Sequence, residues 1–343
     1  MPNAFPAQLK VTPSFNEPKV VVAFAQKSGA FEALAGGAPK TSISSEDLFI
    51  YINSLTLRSE VLASQNAPTD LPSATLIAEY SSTPTYLLRT RAIYDHHDIA
   101  AGANYAVSVP SAQKLAMRQG INQFRRSMLL YGLNAAGGEG LLNTAGATAV
   151  TLPADQYGNT TFSTYDSGDM ALFFLQQIVA LKSRMFQSGG NIKNRIVVIS
   201  PQRVFLDLEQ AAIVQVTSYQ RPGAGTATVG QVIGDVSEGV GTEFDFYYDD
   251  TLIGKGAGGT DMVIMTVPEF EDTDGDGINT NIFFQDFSPK LMDVNIMYAD
   301  APAPFEIPTP IADGGITEMQ EIRSSCGWCI RPFGLSLISI PYN

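Results

Sequence analysis

Apolar residues recur at helical spacing in two long stretches of the chain. Met117, Ile121, Phe124, Met128 and Tyr131 fall within about 80° of one another on a helical wheel. Residues 110–133 therefore read as a helix, opened by Val109-Pro110-Ser111 and closed by Gly132 and the Gly137-Gly138 pair. Taken as about 23 residues, it is some 35 Å long at ~1.5 Å per residue. Met170, Phe174, Ile178, Leu181 and Met185 make the stripe of a second helix over 168–186. Asp169 near its start and Lys182 and Arg184 near its end suit the helix dipole. Arg195 to Ile199 then reads as a short buried strand, and Ser200-Pro201 as the cap of a third helix.

Elsewhere the pattern is that of strands and loops. Ala74–Tyr80 and Thr85–Tyr94 flank Ser81-Ser82-Thr83-Pro84, which predicts a long hairpin with a polar tip at 74–94. After residue 212, Phe244, Phe246 and Tyr248 alternate with Asp245 and Asp249, and Met262–Val267 and Leu291–Ala299 read as further strands. Tyr219 to Gly225 is an exposed loop by its proline and glycines, Ala301–Pro310 a proline-rich crossing between lobes, and Trp328–Tyr342 a final apolar strand-like run. Residues 1–45 are punctuated by Pro2, Pro6, Pro13, Pro18 and Pro39. Such a segment rarely folds alone and lies along a neighbour, or frays as a terminus.

Composition narrows the function classes. Of 343 residues 45% are apolar and only 16% charged, enough for a substantial core and lean in surface charge, as in a chain that meets other protein or a large enzyme with little exposed surface. The net charge of −13 repels nucleic acid at long range. The first 45 residues depart from this: Lys10, Lys19, Lys27 and Lys40 against Glu17 and Glu32 leave +2. The 110–133 helix departs further, carrying Lys114, Arg118, Arg125 and Arg126 and no acid. Lys114, Arg118 and Arg125 lie within about 40° of one another beside the apolar stripe. No apolar run is long enough to span a membrane, and Met1 to Phe5 has no signal-peptide character. Two cysteines make no disulfide framework, so a reducing compartment is expected.

Candidate chemistry is sparse. Asp272, Asp274 and Asp276, followed by Gly277, match the start of a calcium loop, where alternate carboxylates converge on a hard cation. Phe283 stands where that loop needs a bidentate glutamate, so a plain acidic turn is the competing reading. Cys326-Gly327-Trp328-Cys329 is a C-x-x-C pair running into a strand, without the helix start of a redox motif or two further zinc ligands. It reads as two reduced structural thiols. His96 and His97, the only histidines, point to opposite faces if the chain is extended there, which suits polar packing better than one metal. Gly254 to Gly259 reads as a turn, not a phosphate cradle. No catalytic residue and no cofactor beyond candidate calcium emerges.

Several local sequences carry a resemblance. Arg91-Ala-Ile-Tyr-Asp-His-His-Asp98, Tyr131-Gly132, Gly138-Glu-Gly-Leu-Leu-Asn143, Ser200-Pro-Gln-Arg-Val204, Tyr219-Gln-Arg-Pro-Gly-Ala-Gly225, Asp249-Asp-Thr-Leu-Ile-Gly-Lys-Gly256 and Arg323-Ser-Ser-Cys-Gly-Trp328 resemble an encapsulin-like family of tailed-phage major capsid proteins. The resemblance runs from about residue 75 to the end of the chain. It implies an α+β Hong Kong 97-like fold: an N-terminal arm at 1–45, an extended loop with flanking segments at 46–108, and a peripheral domain with a spine helix at 109–144. An axial domain at 145–299 and a return to the peripheral domain at 300–343 complete it. It implies a non-enzymatic subunit that assembles with itself, as pentamers and hexamers, in the host cytoplasm into the icosahedral virion capsid. Portal, a separate scaffold, packaged DNA and a cementing protein are the implied partners. Lys114, Arg118 and Arg125 would then form a basic strip facing DNA on the inner wall, or pair with acidic neighbours. Shells of this fold that crosslink use a lysine on the extended loop, and no lysine lies between Lys40 and Lys114, so a non-covalent shell is expected. The alternative is an encapsulin-type compartment of the same fold holding protein cargo; an enzyme built on the acidic loop ranks below both.

Overall fold

The computed structural model describes residue 34 and residues 41–58, 75–103, 108–187, 195–210, 212–213, 227–228, 244–268, 295–301, 305–311 and 314–342. Two sheets organise them. The first is built from β1 (Thr41–Ser42), β2 (Phe49–Arg58), β3 (Thr75–Asp95), β11 (Ala299–Asp300), β12 (Phe305–Pro310) and β13 (Gly315–Ser325). Its order is β1-β11-β13-β3-β2, with β12 also paired to β13. The second is built from β4 (Thr148–Thr151), β5 (Ile196–Ser200), β8 (Phe244–Tyr248), β9 (Asp261–Thr266) and β15 (Leu335–Ile340), in the order β4-β15-β9-β5-β8. Two short pairs stand apart: β6 (Ala212–Ile213) with β7 (Ala227–Thr228), and β10 (Ile296–Met297) with β14 (Trp328–Cys329). The helices are α1 (His96–Ala103), α2 (Val109–Tyr131), α3 (Ser167–Gln187) and α4 (Gln202–Gln210).

Both faces of the second sheet are covered, which is why β5, β9 and β15 are buried along their whole length. Ile196, Val198, Val263, Met265, Ile338 and Ile340 face α3 and α4, meeting Phe174, Ile178, Leu181, Val204 and Leu208. The alternate residues Val197, Ile199, Ile264 and Leu337 face the other way, onto Leu129 and Leu130 of α2 and onto Leu141, Leu252 and Tyr298. Leu34, within the expected arm, is buried in that second cluster. The middle of α2 packs instead on the first sheet, with Ile121 and Met128 against Leu88, Ile322 and Cys326. One helix therefore serves both sheets, and this ties the two halves together.

Three expectations are corrected. Residues 74–94 are not a hairpin: β3 is one 21-residue strand through Ser81 to Pro84. Its first half, 75–84, pairs with β2, and its second half, 85–95, pairs with β13. The hairpin is thus β2 with the outer half of β3, and its turn lies outside the described residues. The polar Ser-Ser-Thr-Pro run reads as a turn because strand pairing is non-local and leaves no trace in the segment itself. Of the expected crossing at 301–310, residues 305–310 form β12, which pairs antiparallel with β13. The Ile311 N–H donates to Gly315 O, so the nitrogens of Pro310 and Pro308, one and three residues earlier, point to the outer edge, where no donor is needed. Finally, the expected return of 300–343 to one domain is divided. Strand β13 joins the first sheet, whereas β15 lies between β4 and β9 in the second.

The helices follow the sequence closely, with differences in detail. Phe124, expected in the buried stripe of α2, is exposed, while Leu129 and Leu130 are fully buried because the helix end is enclosed on all sides. Ser200 does not cap α4. Its Oγ has no partner among the described residues, and Asp250 Oδ1 accepts from Gln202 N–H at 2.8 Å instead.

Glycine positions give a paired test. A Cβ at Gly327 would lie 2.1 Å from Leu129 O, whereas a Cβ at Gly120, inside α2, meets nothing within 4 Å. Gly327→Ala is expected to cost more than about 4 kcal/mol, or to prevent folding. Gly120→Ala is expected to stabilise by roughly 0.5–1 kcal/mol. Denaturant unfolding of the two variants checks both.

Candidate functional site

Around the end of α2, backbone packs directly on backbone. Gly132 N–H and Gly327 N–H both donate to Met128 O, at 3.1 and 3.2 Å, and Gly140 N–H donates to Gly327 O at 3.0 Å. A Cβ at Gly132 would sit 2.3 Å from Glu139 O, and one at Gly140 would sit 2.3 Å from Gly132 N. Asn143 Nδ2 donates to Tyr131 O at 2.7 Å and to Glu139 O at 2.8 Å, closing the turn. The segments Tyr131-Gly132, Gly138 to Asn143 and Cys326-Gly327 thus meet at one place. The buried Glu139 carboxylate accepts from Tyr86 OH at 2.8 Å, from Asn134 N–H at 3.0 Å and from Cys326 Sγ at 3.4 Å. Burial, and then the hydrogen bond to Glu139, push the Tyr86 phenol up to about 12.

The cations of α2 each meet a carboxylate. Lys114 Nζ lies 2.7 Å from Glu318 and 3.5 Å from Glu306, and Arg118 lies 2.9 Å from Glu306. Gln320 Nε2 also donates to Glu306, at 3.0 Å. Arg125 pairs with the buried Asp300 and contacts Tyr298, and Arg126 lies 3.6 Å from Asp249. The carboxylates stand on β11, β12 and β13 and on the turn after β8, so the strip clamps the helix to the strands beneath it. The Arg118 hydrogen bond holds the Glu306 carboxyl below its usual range, and the hydrogen bond to Glu318 raises Lys114 above its own. Of the two readings of Lys114, Arg118 and Arg125, pairing with acidic neighbours is what the geometry supplies.

The remaining candidates divide. Asp272, Asp274 and Asp276 lie outside the described residues. Among the described residues, no three His, Cys, Asp or Glu side chains are grouped to hold a metal. Cys326 and Cys329 are free and buried; burial pushes both thiols up to about 12. His96 and His97 open a helix rather than an extended segment, with ring centroids 3.9 Å apart. Asp95 N–H donates to Asp98 and Asp98 N–H to Asp95, a reciprocal cap that the sequence shows only as a charged cluster. Gly254 to Gly259 forms turns, as expected.

The hairpin carries the other candidate surface. Leu48, Phe49, Tyr51 and Tyr80 are exposed, Tyr80 at 74% of its surface. The Phe49–Tyr51 centroids are 6.3 Å apart and the Tyr51–Tyr80 centroids 6.2 Å, an aromatic row on one face of the ribbon. Sequence reading misses this row because it places β2 within a flanking segment. The alternation Phe49, Tyr51 is the available signal.

These environments set how the protein responds to acid and to thiol reagents. Glu306, with its depressed carboxyl, contributes stability that is present above the unfolded value of about 4.3 and lost as pH falls through the lower folded value. Stability should therefore fall between about pH 5 and pH 3, and Glu306→Gln should flatten that slope in denaturant melts at stepped pH. The thiols, held protonated, should resist a disulfide reagent in the native protein at about pH 8 and react at once on unfolding, which a colorimetric thiol titration reads.

No protein-family model matches the chain, and no curated protein matches it in sequence. Solved structures do match in shape. The capsid of Myoviridae phage XM1 superimposes with a TM-score of 0.65 at 12% identity, covering 95% of this chain and 96% of that one. The capsid of cyanophage P-SCSP1u gives 0.58 at 12% identity over 95% and 92%, and that of a native GTA particle 0.56 at 9% identity over 96% and 95%. The two sheets, the helix α2 that both share and the hairpin of β2 and β3 thus have the α+β fold of phage capsid proteins.

Proposed function

We propose that this chain is the major capsid protein of a tailed bacteriophage, a non-enzymatic subunit that assembles with itself into an icosahedral shell around double-stranded DNA. The observation that carries the reading is the hairpin of β2 and the outer half of β3. It displays Leu48, Phe49, Tyr51 and Tyr80 to the outside, on a chain that shares its fold end to end with capsid proteins. Exposed apolar surface of this kind marks a protein contact, and a copy of the same chain is the partner that a closed symmetric shell requires. Pentamers and hexamers, a portal, a separate scaffold, a cementing protein and a virion location assembled in the host cytoplasm belong to the same proposal.

Lys114, Arg118 and Arg125 face three carboxylates, Glu306, Glu318 and Asp300, so the strip carries no surplus positive charge. In this reading the helix acts first as a mechanical spine, and attraction to packaged DNA is secondary.

Electron microscopy of the chain expressed with its scaffold tests the proposal. Closed shells or capsomer rings are expected, and they should dissolve to monomers on a boiled denaturing gel, since no lysine lies between Lys40 and Lys114. Tyr51→Ser with Tyr80→Ser should leave the subunit's stability within about 0.5 kcal/mol and abolish closed shells. A wild-type chain that remains monomeric beside its scaffold would overturn the reading.

A further inference from the structure

The hairpin leaves the body of the subunit where β3 exchanges one partner for another, between Pro84 and Thr85. A strand that changes partner is a natural place to bend, because the ladder is interrupted there and Pro84 has no N–H to contribute. Yet the polar groups at this root converge on one side chain. Arg323, on β13 opposite Leu87, reaches along the sheet to the turn that precedes β2. Its Nε donates to Ser45 O at 2.6 Å, and its Nη1 donates to Thr85 Oγ1 at 3.1 Å and approaches Asp47 O at 3.5 Å. Thr85 Oγ1 donates in turn to Asp47 O, and Thr85 N–H donates to Leu48 O at 3.0 Å. The turn is closed by Ser44 N–H donating to the Asp47 carboxylate at 2.7 Å and Asp47 N–H donating to Ser44 O at 3.3 Å. Just before it, Ile43 N–H donates to Asp300 O at 3.0 Å, which fastens the incoming chain.

We propose that Arg323 is a positioning residue that latches the root of the hairpin and sets the angle at which the hairpin leaves the subunit. A guanidinium suits this role because its donors form a planar fork that serves several oxygens at once. It joins three separate segments: the turn at 44–47, the strand at Thr85 and β13. Without it, the outer half of β3 and all of β2 are held chiefly by each other. The proposal rests on the shell reading only for its consequence in assembly.

Hydrogen exchange on the unassembled full chain reads the latch directly. Arg323→Ala should speed exchange of the Asp47 and Thr85 amides by about tenfold, the effect of losing one charge-assisted hydrogen bond. The Val197 and Ile199 amides, in the second sheet, should be unchanged and confirm that the variant folds. Thr85→Val, which removes only the hydroxyl, should produce a smaller rise at the same amides. Arg323→Lys, a single head without the fork, should fall between wild type and Arg323→Ala. In assembly, Arg323→Ala should give open or irregular particles, with Arg323→Lys partly restoring closed ones. Unchanged exchange at Asp47 and Thr85 in Arg323→Ala would overturn the latch. Faster exchange with closed shells at wild-type yield would overturn its role in setting the angle. A wild-type chain that forms no shells would count against the shell reading alone, and the exchange comparison would still decide the latch.

Discussion

The close approach of three backbone segments at the end of α2 is the constraint on which the rest depends. Gly132, Gly140 and Gly327 let main chain touch main chain where any Cβ would collide with a carbonyl or an amide, at 2.1 to 2.3 Å. Because the segments are that close, Leu129 and Leu130 reach the second sheet while Met128 stays against the first. Placing one carboxylate, Glu139, among these segments satisfies Tyr86, Asn134 and Cys326 together. A buried polar group of this kind is tolerated only when its partners are all in place, so the junction is cooperative.

From this junction two different mechanical elements extend. The spine helix is held flat on the strands by ion pairs spaced along it, Lys114 and Arg118 to Glu306 and Glu318, then Arg125 to Asp300. Glu318 is buried while Lys114 and Arg118 stand half open to solvent, so this part of the clamp gives orientation more than stability. The hairpin, by contrast, shares only the inner half of β3 with the body. Its rigidity depends on what holds Thr85 and the turn before β2. A helix clamped along a sheet, with a two-stranded ribbon that displays Phe49, Tyr51 and Tyr80 to solvent, suits the self-assembly proposed above.

The two sheets are also joined through the end of the described chain. Strand β13 belongs to the first sheet and β15 to the middle of the second, with only β14 and a short turn between them. The halves are therefore coupled at two places, the end of α2 and the β13–β15 passage. The β12 edge of the first sheet is blunted where Pro308 and Pro310 remove two of its outward donors, which discourages unplanned strand addition in a chain whose proposed partners are its own copies.

Helices α2 and α3 are legible in the sequence because a helix's stripe is set by neighbours three and four residues apart, all within one segment. The buried strands β5 and β9 are legible for the same local reason, as short apolar runs. The glycine motifs can be quoted from the sequence but not understood there. Gly132, Gly140 and Gly327 matter only because segments far apart in the chain meet backbone to backbone, and no spacing encodes that meeting. The hairpin is misplaced by sequence reading because Ser81 to Pro84 has turn chemistry, and only pairing with residues 49–52 overrides it. Arg323 and Glu139 carry no signal of their roles, since an isolated charge gives no hint of what it will face. The amino-acid order was thus enough for the local elements, the lean charge and the lack of a loop lysine. Which strand partners which, where the polar groups find their partners and how the end of the chain divides between two sheets came only with the folded chain, because those outcomes are fixed by contacts between distant segments.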